Sequence, residues 1–239
     1  MDKTRCLHAY SIVMEKYDGF HCIYDGCSVW TRNSSKLQLH SNLLSDLENA
    51  LENVRKRGHG CSGIQFELVA KHSSLSDFYS VSKLLKSNPS NLQGFIFDAI
   101  MNIPFIDRLL ALEEAIGTLQ IPLNNIHMCS WRTWNTKDEL ETFVDNIFTR
   151  GGEGVVLGIP AGSYKDGRTD DKIKLKQQIV LDGMLGRMRG SDFEVIEEKS
   201  GKTFFIGKGL VKNKKIGEKV TITSLDILPN GRFRNPIVT

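Results

Sequence analysis

The hydrophobic pattern of this chain changes close to Lys176. Before that point, amphipathic stretches alternate irregularly with short apolar runs, which predicts an α+β domain with antiparallel or mixed sheets and packed helices. After it, only short strands separated by glycine, lysine and asparagine turns follow, a pattern typical of a small all-β barrel. We therefore predict two domains, 1–176 and 177–239.

Helix signals are clear in the first part. Residues 41–58 carry an apolar stripe that ends at Gly58, and Thr136 with Glu139 forms a capping box before a helix that stops at Gly151. Further helices are predicted over 75–86 and 104–117, and strands at FHCIY, SVWTR, GIQFELVA, GFIFDAI and GVVLG.

Composition sets mild limits on function. The net charge of +3 permits a nucleic-acid partner without requiring one. No apolar run is long enough to cross a bilayer and the first residues lack a signal-peptide core, so we expect a cytoplasmic protein with no membrane partner. The five cysteines are irregularly spaced, which favours reduced thiols over disulfides or a zinc site.

A series of polar residues punctuates the predicted strands. In chain order they are Lys16-Tyr17-Asp18-Gly19, Arg32 after a strand, Glu67 inside an apolar strand, Phe97-Asp98, Glu153-Gly154, and the alternating Lys174 and Lys176. Taken singly, each has an ordinary explanation: a hairpin turn, an exposed strand position or a solvated sheet edge. The ordered set is much harder to explain by chance. Alternation also places Lys174 and Lys176 on one face of their strand.

This ordered set resembles the covalent nucleotidyltransferases, which comprise ATP-dependent DNA ligases, RNA ligases and messenger-RNA capping enzymes. Lys16, Asp18 and Gly19 match their K-x-D-G motif, and the later residues match further motifs in the family's order. The stretches FIFDAIMNIPFIDRLLALEE, YKDGRTDDKIKLK and FFIGKGL are most similar to DNA ligases of the minimal two-domain type. The resemblance implies an adenylation domain followed by an OB-fold domain, with no DNA-binding domain before Lys16.

The same resemblance implies a mechanism and the residues that carry it. ATP would adenylate Lys16, the AMP would pass to the 5′-phosphate of a DNA nick, and the 3′-hydroxyl would displace it. Asp18, Lys174 and Lys176 would assist catalysis, while Arg32, Glu67, Phe97 and Glu153 would contact the nucleotide. Glu153 and Glu67 would hold Mg²⁺ or Mn²⁺, which prefers oxygen ligands. Contacts with nicked duplex DNA would come from Arg32, Arg168, Arg187, Lys208, Arg232 and Arg234 of a monomeric protein.

Three positions differ from the family pattern. His21 stands where small DNA ligases usually have arginine, Gln65 stands where the third motif usually has aspartate, and the basic tail expected after Arg234 and Pro236 is missing. Two other functions remain open from sequence. One is an RNA ligase or capping-type nucleotidyltransferase, and the other is a non-catalytic module that binds nicked or single-stranded DNA.

Overall fold

The structure is a computed structural model. It describes residues 9–58, 60–71, 78–119, 122–167, 169–211, 214–224, 226–227, 230–234 and 236–239, without the side chains of Phe78, Asp226 and Arg234. The chain divides into two compact units, residues 1–175 and 176–239. Among the described residues, no helix has the length and apolar character needed to cross a membrane.

The first unit is built from ten strands and four helices within the described residues. The strands are β1 (Ile12–Lys16), β2 (Phe20–Tyr24), β3 (Val29–Thr31), β4 (Lys36–Leu37), β5 (Ile64–Ala70), β6 (Leu92–Ala99), β7 (Ile126–Met128), β8 (Trp131–Thr133), β9 (Gly154–Gly158) and β10 (Lys172–Lys176), whose last residue begins the second unit. The helices are α1 (Ser41–Lys56), α2 (Phe78–Ser87), α3 (Phe105–Gly117) and α4 (Lys137–Thr149), and a 3₁₀ turn covers Pro89–Asn91.

Two sheets organise this unit. A six-stranded sheet has the order β4-β3-β2-β5-β6-β7 and is antiparallel except for the β6–β7 pair. A four-stranded sheet has the order β10-β9-β1-β8, with β1 antiparallel to both β8 and β9. The chain leaves β1 in one sheet and enters β2 in the other, so the Lys16–Gly19 turn joins the two sheets.

Apolar side chains on both faces of β1 explain why this strand is central. Val13 packs with Phe143 and Ile147 of α4, whereas Met14 on the opposite face packs with Phe105 and Leu109 of α3. Burying both faces removes apolar surface from water on each side and fixes the strand's register. The end of β1, where Lys16 lies, therefore sits on a rigid support.

The predicted helix boundaries are confirmed where the structure describes them. Helix α1 ends at Lys56 and Arg57 is its C-cap. The next residue, Gly58, has a φ of 81°, the left-handed conformation that glycine adopts readily. The capping box of Thr136 and Glu139 is present at the start of α4. Residues 72–77 lie outside the described residues, so the predicted start of the helix over 75–86 does too.

The second unit is all-β in its described part. Its strands are β11 (Ile179–Arg189), β12 (Asp192–Glu197), β13 (Thr203–Gly207), β14 (Lys219–Ser224), β15 (Asp226–Ile227), β16 (Phe233–Arg234) and β17 (Ile237–Val238). An antiparallel sheet of order β13-β12-β11-β14-β17 encloses an apolar core with a separate β15–β16 pair, and a 3₁₀ turn covers Lys208–Leu210. The described strands do not close into a barrel through continuous pairing, although a single bridge joins Phe205 to Arg232.

Candidate functional site

Lys16 is the last residue of β1 and its side chain is paired with a carboxylate far away in sequence. Its Nζ forms an ion pair with Glu153 Oε2 and also donates to the Tyr17 carbonyl at 3.2 Å. Both side chains of the ion pair are largely buried, with 16% and 15% of their surface exposed. The β1–β9 register, in which Lys16 lies opposite Gly154, brings Glu153 to this position. Lys16 is thus held in a defined direction before any ligand is present.

Gly19 is required at the turn after Lys16 because the backbone of β5 approaches it closely. A Cβ at this position would lie 2.2 Å from the Leu68 carbonyl oxygen and 2.9 Å from Val69 Cγ1. The close approach lets the Gly19 N–H donate to Glu67 Oε1 at 3.1 Å. The glycine of the K-x-D-G motif therefore ties the turn to the carboxylate of Glu67.

Glu67 is buried close to two other carboxylates, those of Glu153 and Asp18, and to the cation of Lys16. Burial raises its pKa from 4.5 to about 7, with further upward contributions from Glu153 and Asp18, while Lys16 and the Gly19 hydrogen bond lower it. These couplings place Asp18, Glu67, Glu153 and Lys16 in one electrostatic group. A ligand that offers a hydroxyl donor or a cation would stabilise the ionised form of Glu67.

Phe97 lies at an irregularity in β6. Gln65 pairs with Asp98 and Phe66 pairs with Ile96, so Phe97 is the extra residue of a β-bulge. Its ring is half-buried and lies 5.3 Å from the His21 ring, at an interplanar angle of 56°. The bulge gives Phe97 a direction that regular pairing would not provide, and Asp98 and Ala99 are consequently both buried.

His21 lies directly opposite Glu67 in the β2–β5 ladder. Burial lowers its pKa to about 4, and the nearby cations Arg32, Lys174 and Lys172 lower it further. His21 is therefore neutral at physiological pH. Its Nε2 is buried, and no described residue provides it with a hydrogen-bond partner. A buried polar atom without a partner is costly, so a group that hydrogen-bonds to Nε2 would stabilise this position.

Gln65 links the sheet to the loop before β10. It lies diagonally across from His21 in the β2–β5 register, and its Nε2 donates to the Tyr164 hydroxyl at 2.7 Å. The Tyr164 hydroxyl in turn donates to Asp166 at 2.8 Å. The two positions that depart from the family motifs, 21 and 65, are therefore neighbours on one face of the sheet.

Arg108 explains why Asp98 and the P-F-x-x-R stretch occur together. Its Nε donates to Asp98 Oδ1 at 2.7 Å, and its Nη1 donates to the carbonyls of Ile103 and Gly162. Lys172 Nζ donates to the other oxygen of this carboxylate, Asp98 Oδ2, at 2.7 Å. Asp98 and Arg108 are 2% and 1% exposed, so these residues form a structural ion pair beneath the site.

A second set of contacts supports β1 on the α4 side. Arg150 Nη2 donates to Glu15 Oε2 at 2.7 Å, and the Tyr17 hydroxyl donates to the same oxygen at 3.0 Å. The Tyr17 ring stacks on Phe95 with 3.9 Å between centroids. Sequence reasoning missed this set, although Glu15 and Tyr17 flank Lys16 and their same-face spacing is a usable signal.

The remaining predicted residues of the first unit occupy different surroundings. Arg32 is exposed in the turn after β3, close enough to His21 to influence its pKa. Lys174 and Lys176 alternate along β10, and Lys174 also influences His21. Arg168 lies outside the described residues.

The predicted DNA contacts of the second unit are exposed basic side chains whose acidic partners are mostly buried. Arg187 and Arg189 pair with Glu194 at 3.6 and 2.5 Å, and Arg232 pairs with Asp192. Lys208 is exposed in a 3₁₀ turn, and the side chain of Arg234 lies outside the described residues.

The donor set is compatible with Mg²⁺ and a nucleotide. Within the described residues, no three His, Cys, Asp or Glu side chains are arranged to hold a metal ion. Mg²⁺ commonly needs only one or two carboxylates, because waters and substrate phosphates supply its other ligands. The coupled carboxylates of Glu67 and Glu153 meet that requirement.

Comparison with known proteins was informative only at the level of structure. No protein-family model matches the sequence, and no curated protein matches it either. A solved Lig E DNA ligase, from work on DNA binding with a minimal scaffold, is 21% identical over 97% of this chain and 92% of its own, with a TM-score of 0.73.

Two viral proteins are similar over nearly their whole length. The ATP-dependent DNA ligase of bacteriophage T7, solved with ATP, is 16% identical, covers 100% of this chain and 96% of its own, and has a TM-score of 0.58. The Chlorella virus DNA ligase-adenylate is 18% identical over 95% of this chain and 90% of its own, with a TM-score of 0.56. In fold, the chain resembles the minimal ATP-dependent DNA ligases.

Proposed function

We propose that this protein is an ATP-dependent DNA ligase that seals nicks carrying a 5′-phosphate and a 3′-hydroxyl in duplex DNA. The observation that carries the proposal is the arrangement around Lys16. A lysine at the end of a rigid strand is ion-paired with Glu153 and coupled to Glu67, on a fold shared with DNA ligases.

In the first step, the Lys16 Nζ lone pair attacks the α-phosphorus of ATP. A phosphorus–nitrogen bond forms, the bond to the bridging oxygen breaks, and pyrophosphate leaves with that electron pair. The amine attacks only after losing a proton, and Glu153 is the carboxylate positioned to receive it. A proton acceptor beside Lys16 is needed because the ordinary ammonium form of lysine is not nucleophilic.

The neighbouring residues would bind and orient the nucleotide. Phe97 offers a half-buried ring for the adenine, and Glu67 offers a carboxylate for a ribose hydroxyl, whose hydrogen bond would favour its ionised form. Lys174, Lys176 and Arg32 would neutralise phosphate charge. Glu67 and Glu153 would hold Mg²⁺, which supplies positive charge to the phosphates when bound.

In the later steps, a 5′-phosphate oxygen of the nick displaces Lys16 from the adenylate, and the 3′-hydroxyl oxygen then attacks that phosphate and releases AMP. Asp18 is the carboxylate beside Lys16 that would assist these transfers. Arg187, Lys208 and Arg232, together with Arg168 and Arg234, would contact backbone phosphates, which provide affinity without reading sequence. We propose an OB fold for the second unit and a monomer for the active protein.

The test uses ATP labelled on the α-phosphate, Mg²⁺ and a duplex with one 5′-phosphorylated nick. We expect covalent label on the protein and a sealed strand, and Lys16→Ala should abolish both while the fold is retained. Lys137→Ala, an exposed change in α4, is the matched control. Label that survives Lys16→Ala would contradict the assignment of the nucleophile.

The same assay separates the alternative functions. Labelling by GTP rather than ATP, or sealing confined to nicked RNA, would identify a capping-type enzyme or an RNA ligase. Binding of nicked DNA with no labelling by either nucleotide would identify a non-catalytic module.

A further inference from the structure

The segment Arg150–Glu153 touches the end of β1 from both of its faces. Glu15 and Lys16 are consecutive residues, so their side chains point to opposite faces of the strand. Arg150 contacts Glu15 on the face covered by α4, and Glu153 contacts Lys16 on the other face. Four consecutive residues thus hold two adjacent side chains of β1.

The turn between the two contacts has a tightly specified backbone. Gly151 has a φ of 80° and its N–H donates to the Phe148 carbonyl at 3.0 Å. The Gly152 N–H donates to the Ile147 carbonyl at 2.8 Å, and a Cβ on Gly152 would lie 2.5 Å from Ile147 Cγ2. Because these bonds anchor the turn to the last turn of α4, the separation between Arg150 and Glu153 is set by the helix end.

Arg150 pairs with a buried carboxylate, which a nearby cation stabilises. The side chain of Glu15 is 8% exposed, whereas that of Arg150 is 57% exposed. Among the described residues, the Tyr17 hydroxyl is a second donor to Glu15, and the Tyr17 ring is stacked on Phe95 of the six-stranded sheet. A buried carboxylate with a cation and a hydroxyl donor is stable, but without the cation it must find a new arrangement or take up a proton.

We infer that Arg150 is a positioning residue for Lys16: by binding Glu15, it holds the β1 end so that Lys16 and Glu153 keep their mutual geometry. Its described side-chain contact is with Glu15, which in turn accepts from Tyr17, so it acts through the residues on either side of Lys16. This inference rests on the proposed function, in which the direction of Lys16 Nζ determines the rate of its adenylation. A positioning residue should therefore affect the rate of that step more than the binding of ATP.

The experiment compares Arg150→Ala, Arg150→Lys and the control Lys137→Ala on the full chain. Single-turnover adenylation is followed at saturating ATP, and the ATP concentration for half-maximal rate is measured in parallel. We expect Arg150→Ala to slow adenylation about tenfold or more with half-saturation changed by less than about twofold. Arg150→Lys should recover most of the rate because it restores a cation near Glu15, and Lys137→Ala should match the unsubstituted protein.

A second readout does not depend on activity. Hydrogen–deuterium exchange of the peptide covering residues 14–18 should become faster in Arg150→Ala and remain slow in Arg150→Lys. An adenylation rate within about twofold of the unsubstituted protein, an equal loss of rate and ATP affinity, or a loss that lysine does not rescue would overturn the inference. If the unsubstituted protein takes no label at all, the proposed function fails, and exchange alone then decides: unchanged exchange in Arg150→Ala rejects the positioning role.

Discussion

The ion pair of Arg108 in the first unit and the pairs of Glu194 in the second differ in the exposure of their cations. In the first unit, Arg108 and Asp98 are both almost fully buried, with every guanidinium contact made to the protein. In the second, Glu194 is 9% exposed while its partners Arg187 and Arg189 are 76% and 62% exposed. A pair buried on both sides can only support structure. A pair with an exposed cation leaves charge at the surface, where it can meet a phosphate.

Removing the buried cation should give the largest effect. Arg108→Ala leaves the Asp98 carboxylate with Lys172 as its remaining cation and frees two carbonyls, so we expect a loss of about 3–5 kcal/mol in the free energy of unfolding. All three tryptophans, Trp30, Trp131 and Trp134, lie in the first unit, so their fluorescence during urea unfolding reports that unit. A loss below about 1 kcal/mol would remove the distinction between the two kinds of pair.

Glycine positions extend the comparison from charge to packing. Gly19→Ala forces a methyl group against the Leu68 carbonyl, and we expect about 1–3 kcal/mol of destabilisation by tryptophan fluorescence. Adenylation should also fall, because the hydrogen bond from Gly19 to Glu67 is displaced. Gly209→Ala in the second unit, where a Cβ would meet nothing within 4 Å, is the matched control, and hydrogen exchange of β11 and β12 measures its stability. Equal stability of the two variants would contradict the close approach.

Acid titration tests whether burial and the nearby cations of the first unit keep His21 neutral. The folded pKa of about 4 lies below the unfolded value of 6.5, so the unfolded chain binds the proton more readily between these values. The contribution of His21 to the free energy of unfolding is therefore fully present above pH 6.5 and is lost as the pH falls towards 4. His21→Asn should lessen the loss between pH 7 and pH 5 by about 1–2 kcal/mol. An identical pH dependence in both proteins would show that His21 is not held neutral.

The contribution of Glu67 to stability should change with pH in the direction opposite to that of His21. Its folded pKa of about 7 lies above the ordinary 4.5, so its contribution is present below pH 4.5 and is lost as the pH rises to 7. Glu67→Gln should therefore make the protein relatively more stable at pH 7 than at pH 4.5, measured against the unsubstituted chain. A greater relative stability at the lower pH would reverse this assignment.

Exposed arginines of the second unit should have the smallest effect on stability. Replacing Arg187 by glutamine should change the free energy of unfolding by less than about 1 kcal/mol, because its cation is exposed and Arg189 still pairs with Glu194. The same variant should weaken binding of nicked DNA and lower the slope of log K against log salt by about 1. Hydrogen exchange of β11 and β12 measures the first quantity and fluorescence titration the second. An unchanged salt slope would show that Arg187 does not meet a phosphate.

Local sequence signals predicted the helix ends of this protein. The features that they did not predict depend on contacts between residues far apart in the sequence. The capping box at Thr136 and the stop at Gly58 depend on neighbouring residues, so their chemistry can be read directly. The burial of Arg108 could not be read, because it depends on Asp98 and on carbonyls as distant as that of Gly162. The motif order predicted that Lys16, Glu67 and Glu153 would meet. It did not predict which of them form the ion pair.

The same limit applies to the positions that depart from the family pattern. In sequence, His21 and Gln65 look like two independent losses. In the structure they are neighbours, and Gln65 also reaches Tyr164. Burial and the nearby cations keep His21 neutral, and a neutral ring fits beside the uncharged amide of Gln65. Only the β2–β5 register makes that relation visible.

The bulge at Phe97 has a consequence for how this chain can vary. Because Phe97 takes no part in the β5–β6 ladder, a deletion of this one residue would leave Ile96 and Asp98 as consecutive partners of Phe66 and Gln65. Such a chain would gain a regular strand and lose the ring. In this chain the pairing of β6 with β5 is therefore separable from the ring of Phe97, because a one-residue deletion would keep the first and remove the second.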